Sequence, residues 1–284
     1  MSLVSMNEML AEAKKGRYAV GQFNLINLEF AQAIAQSAEE EQSPLIFGAG
    51  EMAIQYMGLD TVVAIAQTLA KQSRIPIALH LDHGGSFDIC MKCIRAGFSS
   101  VMFDGSHFPI EENIRLTQQI VAAAHAVGVS VEGELGQIGG TEDERHVRDE
   151  DAAITKAADA ISFWEQTRVD AMAIAVGTAH GLYRQEPHVR CDVIREVAGA
   201  IEAPVVLHGG SGVPDATIRD AIASGIGKIN VNTENMAAFT GSVRQFLDAN
   251  GTELDPRKYL GPAREAIRQV VQQKIRLFGS NGKA

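Results

Sequence analysis

The chain has 284 residues, 46% of them hydrophobic and 21% charged, with a net charge of −10 at pH 7. That length suits one α/β barrel, and no proline- or serine-rich linker or charge block divides it, so a single domain over residues 1–284 is expected. The acidic balance excludes the basic face that nucleic-acid binding needs, and an anionic substrate requires local positive charge from a metal or helix N-termini.

In chain order, the N-terminal MSLVSMNEML lacks the basic-then-apolar order of a signal peptide. No apolar run reaches the roughly 18 residues of a membrane span, so a soluble cytoplasmic protein is expected. The first β-branched run begins near Ala19 (AVGQFN), and Asn27 then fits an N-cap for the amphipathic LEFAQAIAQSAEEEQ. A second run (PLIFGAG, from Pro44) precedes the helical pattern TVVAIAQTLAKQS after Asp60, and a third (PIALHLDHG, from Pro76) precedes FDICMKCIRAG. The last segment spaces Cys90 and Cys93 as in a redox or metal motif, but no second such pair exists. With Cys191 they form a sparse, odd set that suits helix packing in a reducing compartment.

Runs from Phe98 (FSSVMFDGS) and Val129 (VSVEGELG) flank the helical IEENIRLTQQIVAAAHAVG, which stops at Gly128. The charged QIGGTEDERHVRDED follows, read either as a long mobile loop closing over substrate or as a solvated loop, with Glu142 its candidate proton-transfer group. Runs from Ala171 (AMAIAVGTAHG), Pro204 (PVVLHGGSG) and Gly227 (GKINVNTE) complete a set of eight. Short runs of this kind suit parallel strands covered on both faces. Eight strand–helix alternations predict an α/β fold, a (β/α)8 TIM barrel, with extra C-terminal helices near residues 236–249 and 262–278.

Chemistry in such barrels sits at the C-terminal ends of the strands. Polar residues gather there in this sequence, whereas the strand interiors read as almost purely apolar. His83, His180 and His208 each end a different run, and three imidazoles leave the open coordination position of a catalytic metal. Asp82 is read either as a proton-transfer group or as an outer carboxylate orienting a ligand. Asp104 and Glu134 are either a second or alternate metal position or hydrogen-bonded structural acids. HGGSG (208–212) and NVNTE (230–234) lie where barrels commonly bind phosphate, although glycine turns alone would look the same. The third to seventh strand ends carry no lysine, and Lys228 falls at the start of the eighth run, the end away from the chemistry.

The set LDHG (81–84), VEGELGQIGG (131–140), GTAHG (177–181), LHGGSG (207–212), KINVNTE (228–234) and DPRKYLGPAREAI (255–267) resembles the class II, zinc-dependent ketose-bisphosphate aldolases over nearly the whole chain. The fructose-1,6-bisphosphate enzymes are favoured and the tagatose-1,6-bisphosphate enzymes are nearly as close: LDHG and DPRKYLGPAREAI resemble the former, and GTAHGLY the latter. The resemblance implies reversible cleavage of the ketose bisphosphate to dihydroxyacetone phosphate and glyceraldehyde 3-phosphate through a zinc-stabilised enediolate. It implies Zn2+ held by His83, His180 and His208, with Asp104 and Glu134 as secondary positions and a monovalent cation such as Na+ or K+ near Gly181. Asp82 and Glu142 become the proton-transfer groups. Gly181, Gly209, Gly210 and Ser211, with Asn230, Val231, Asn232 and Thr233, become the dihydroxyacetone-phosphate site. Asn24 and Arg257 fall near the far phosphate, Arg257 from a neighbouring subunit, which implies a homodimer or homotetramer. An aldolase for a deoxy-sugar phosphate, a non-catalytic sugar-phosphate-binding regulator and a metal-dependent barrel hydrolase are the other readings.

Overall fold

A computed structural model describes residues 2–142, 145–147, 153–181, 183 and 185–284, with the side chains of residues 141–142 and 145–147 outside that description. The chain runs α1 (Met6–Gly16), β1 (Val20–Asn24), α2 (Leu28–Glu40), β2 (Leu45–Ala49), α3 (Glu51–Met57), α4 (Leu59–Gln72) and β3 (Ile77–Gly84). It continues through α5 (Phe87–Ala96), β4 (Ser100–Phe103), α6 (Ile110–His125), β5 (Ser130–Leu135), β6 (Gly139–Glu142), β7 (Arg145–Val147) and α7 (Ala157–Thr167). It ends with β8 (Ala171–Ile174), β9 (Ala179–His180), α8 (Cys191–Ala200), β10 (Val205–Leu207), α9 (Asp215–Ser224), β11 (Ile226–Val231), α10 (Thr233–Ala249) and α11 (Pro256–Phe278).

Eight parallel strands close in the order β1-β11-β10-β8-β5-β4-β3-β2, so the predicted barrel is observed. Local chemistry starts and stops its elements. Asn27 Oδ1 accepts from Phe30 N at 2.9 Å to open α2, and Ser86 caps α5 in the same way. Strand alternation divides the side chains. Phe23, Leu79, Leu81, Val131, Ile229 and Val231 face outward into the layer beneath the helices, where a fully buried residue of this kind contributes about 1.5–3 kcal/mol. Inward-facing Val20, Ile46, Ala78, Met102, Ala171 and Val206 pack instead against Met6, Met9, Leu10 and Ala13 of α1, which plugs the N-terminal end of the barrel. The sequence periodicity did not single out that helix.

Two expectations need correcting. The barrel interior is apolar only near this plug. Above it, the fully buried Gln22, His80, Ser100, Glu132 and Lys228 form a polar layer. The charged segment after β5 is also more than a loop, because β6 and β7 pair antiparallel and β6 pairs with β9. Cys90 and Cys93 are buried on α5, and burial pushes the Cys93 thiol up to about 12, so the pair belongs to the packing.

Candidate metal centre and active site

A regular strand would send Asp82 and His83 to opposite faces. In β3 the register against β4 shifts between Leu81 and Gly84, and His83 adopts φ 49°, in the left-handed region. Such a conformation costs a non-glycine residue about 1–3 kcal/mol. The local irregularity bends the strand end so that both side chains reach the barrel mouth. His180 comes from β9, whose backbone pairs with Gly140. Gly140 has φ 97°, and a β-carbon there would lie 2.1 Å from the His180 carbonyl oxygen, so only glycine permits this approach. His208 follows β10 and is fully buried.

The three rings converge, with centroids 4.6 Å apart for His83–His208 and 5.1 Å for His83–His180. One ligand atom from each lies within 4.8 Å of the others. His83 Nε2 faces His208 Nδ1 at 2.9 Å. The remaining nitrogens of these two rings are engaged by acids: His208 Nε2 lies 2.9 Å from Glu132 Oε1, and His83 Nδ1 lies 3.2 Å from Asp104 Oδ2 and 3.5 Å from Glu134 Oε2. Carboxylates that hold the outer N–H of an imidazole turn its lone pair inward, which is the donor arrangement a zinc site uses. Burial lowers the His208 pKa against the opposing pull of Glu132, keeping the ring neutral as a ligand must be. His83, Asp104 and Glu134 form a second group with ligand atoms as close together. Ser106 secures Asp104 through its N–H at 3.1 Å and its hydroxyl at 2.7 Å.

Asp82 is 1% exposed. Its Oδ1 accepts from Asn230 Nδ2 at 3.2 Å and its Oδ2 from Asn24 Nδ2 at 3.4 Å, so Asn24 stands beside the proton-transfer candidate. Beneath them lie residues that the sequence reading missed or misplaced. Lys228 is not at the wrong end of its strand. Its inward side chain reaches Glu132 Oε2 at 2.8 Å and Asn230 Oδ1 at 2.9 Å, with no exposed surface. Burial pushes the Glu132 carboxyl up, but Lys228 and the His208 hydrogen bond outweigh it and hold the group below the usual carboxylate range. His80, bonded to Ser100 Oγ at 2.8 Å, is lowered to about 3 by burial and by Lys228. The available signal was strand alternation, which puts Glu132 on the face of Glu134 and Lys228 on the face of Asn230.

A cleft of 530 Å³ opens over this layer, lined by Asn24, His180, Gly181, Gly209, Ser211, Asn230, Asn232 and Thr233 on one side and by apolar Ile26, Met52 and Met236. Ser211 Oγ accepts from Asn232 N at 3.2 Å and Glu234 N at 3.3 Å, tying the loop after β10 to the start of α10. Tyr183 bridges Ala179 N and the Gly209 carbonyl, each at 2.8 Å. Gly209 has φ 67°, and a β-carbon there would lie 2.4 Å from Ala179 O. Three expected residues stand apart from the cleft lining: Gly210 donates to Asn230 O at 3.0 Å, Val231 is in the outer core, and Arg257 pairs with Asp255 at 2.9 Å, its side chain 89% exposed. Glu142 ends β6, and its side chain lies outside the described residues.

Residues 4–283 match the family model "Fructose-bisphosphate aldolase class-II". The chain is 50% identical over 287 residues to a probable fructose-bisphosphate aldolase of Bacillus subtilis (strain 168), covering 100% of both. It is also 50% identical to the fructose-bisphosphate aldolase of Geobacillus stearothermophilus, covering 100% of this chain and 99% of that protein. Among solved structures, the YdjI aldolase of Escherichia coli K12 matches with a TM-score of 0.87 at 34% identity, covering 99% of each chain.

Proposed function

Since the chain belongs to the class-II fructose-bisphosphate aldolase family, we propose that it cleaves fructose 1,6-bisphosphate reversibly to dihydroxyacetone phosphate and glyceraldehyde 3-phosphate, as a single-domain cytoplasmic enzyme of glycolysis. The observation that carries the reading is the convergence of His83, His180 and His208 beside Asp82. These three imidazoles would hold zinc. When bound, that ion supplies Lewis acidity, polarising the ketone and stabilising the charge that develops on that fragment.

The chain's own groups do the rest. The Asp82 carboxylate, oriented by the Asn230 and Asn24 amides, takes the proton of the C4 hydroxyl as the C3–C4 bond breaks, and returns it to the aldehyde oxygen in condensation. Gly181, Gly209 and Ser211, with Asn232 and Thr233 at the N-terminus of α10, hold the C1 phosphate. Gly210 and Val231 support that site from behind, the Gly210 N–H tying the loop after β10 to Asn230 O at 3.0 Å. Fixing both ends of the substrate keeps the reacting atoms aligned. Glu142 protonates carbon on the dihydroxyacetone-phosphate fragment. Asp104 and Glu134 orient His83 and offer an alternate divalent position, and a monovalent cation sits near Gly181. Arg257 reaches the far phosphate of a neighbouring subunit in a homodimer or homotetramer.

The test is a rate comparison on fructose 1,6-bisphosphate and tagatose 1,6-bisphosphate with zinc present. Preference for fructose is expected. Faster tagatose cleavage would reassign the sugar, and a metal-loaded protein that turns over neither would overturn the reading.

A further inference from the structure

The proposed reaction gives no role to the fully buried charge pair of Lys228 and Glu132 under the barrel mouth. We propose that Lys228 is a positioning residue that directs the metal ligand His208, through Glu132, and the proton-transfer carboxylate of Asp82, through Asn230. The inference rests on the aldolase reading and assigns a role to residues outside the cleft.

An ammonium can only donate. Lys228 lies 2.9 Å from one end of the Asn230 amide, so that end is the oxygen. The amide nitrogen is then turned toward Asp82 Oδ1, at 3.2 Å. The reversed amide would set its oxygen against a carboxylate and its N–H2 against the ammonium, two mismatches at once. On the other branch, the Lys228 ammonium lies 2.8 Å from Glu132 Oε2 and holds the carboxylate in place from that side. Its other oxygen, Oε1, lies 2.9 Å from His208 Nε2 and accepts a hydrogen bond from the N–H there, which fixes the tautomer with the lone pair on Nδ1. Nδ1 is the atom that faces His83 Nε2. A single ammonium therefore selects the rotamer of one side chain and the tautomer of another, and both choices point the working atom at the same space.

The experiment compares the full-length parent with the double variant Lys228→Met, Glu132→Gln, which removes both charges together and leaves neither buried alone. Zinc affinity is measured by competition with a chromophoric chelator, and kcat and KM on fructose 1,6-bisphosphate at saturating zinc. The expected result is a folded variant whose zinc affinity falls by about 10–100-fold, the range for an outer partner of a metal ligand, with kcat down by about 10-fold or more and KM within about 2-fold. A folded variant with parental zinc affinity and parental kcat would overturn the proposal. Should the variant fail to fold, nitrogen-15 spectra of the parent histidines decide: the Nε2–H tautomer of His208 with and without zinc supports it, and a proton on Nδ1 overturns it. A parent that binds zinc without cleaving substrate would sink the aldolase reading, while the affinity and tautomer measurements would still judge Lys228.

Discussion

His83 Nε2 and His208 Nδ1 face each other at 2.9 Å across the barrel mouth, while the far nitrogen of each ring is met by a carboxylate. The two rings are placed as ligands of one cation would be, each held from its outer side by an acid. Removing one ring should therefore empty the centre. His208→Ala is expected to lose more zinc affinity than the about 10–100-fold that an outer partner costs, with the fold retained. Metal analysis after equilibrium dialysis checks this, and parental zinc content in the variant would show that the trio is not the ligand set.

Asp82 lies beside that centre without belonging to either group of candidate ligands. Asp82→Ala should keep its zinc and lose cleavage by about 10²–10⁴-fold, the usual contribution of a positioned acid–base group. Paired zinc analysis and steady-state kinetics separate the two effects. Near-parental turnover would mean that the proton is moved elsewhere.

The loop after β10 depends on a residue without a side chain. Gly209→Ala places a β-carbon 2.4 Å from Ala179 O at φ 67°. The conformation alone costs about 1–2 kcal/mol, which lowers the melting temperature by about 2–3 °C in a chain of this size. Because Gly209 lines the cleft, KM should rise as well. Calorimetry and kinetics on the same sample test both, and an unchanged Tm would contradict the packing described.

Stability should fall in acid, for a reason built into the barrel interior. His80 titrates near 3 in the folded chain against 6.5 when unperturbed. Between these values the unfolded chain carries a proton that the native one does not, so stability is complete above 6.5 and declines as pH drops toward 3. Glu132 is also held below its ordinary 4.5 and adds a decline of the same sign beneath that value. Urea midpoints should therefore decrease steadily from near neutrality downward, and a midpoint that rises on acidification would contradict this account.

The strands were legible because alternation and β-branching are local: each apolar run begins within two residues of the strand it predicts. The gathering of His83, His180 and His208 at one end of the barrel was legible because each follows an apolar run. The pairing of Glu132 with Lys228 was not, since alternation gives the face each one takes but not the partner it meets there. Only closure of the barrel brings β5 and β11 to a common interior, where the pair becomes possible. The bend at His83 escaped for a related reason, because it arises from the register of β3 against β4. Helix α1 was passed over because its apolar face is short and acquires meaning only against the barrel floor.

The central claim is a metal-dependent carbon–carbon cleavage that uses no lysine nucleophile. It is tested most directly by following fructose 1,6-bisphosphate cleavage in protein stripped with a chelator, before and after zinc is returned, with borohydride added in parallel. Activity that vanishes on stripping, returns with zinc and is indifferent to borohydride is predicted. Activity that survives stripping, or is trapped by borohydride in the presence of substrate, would contradict it.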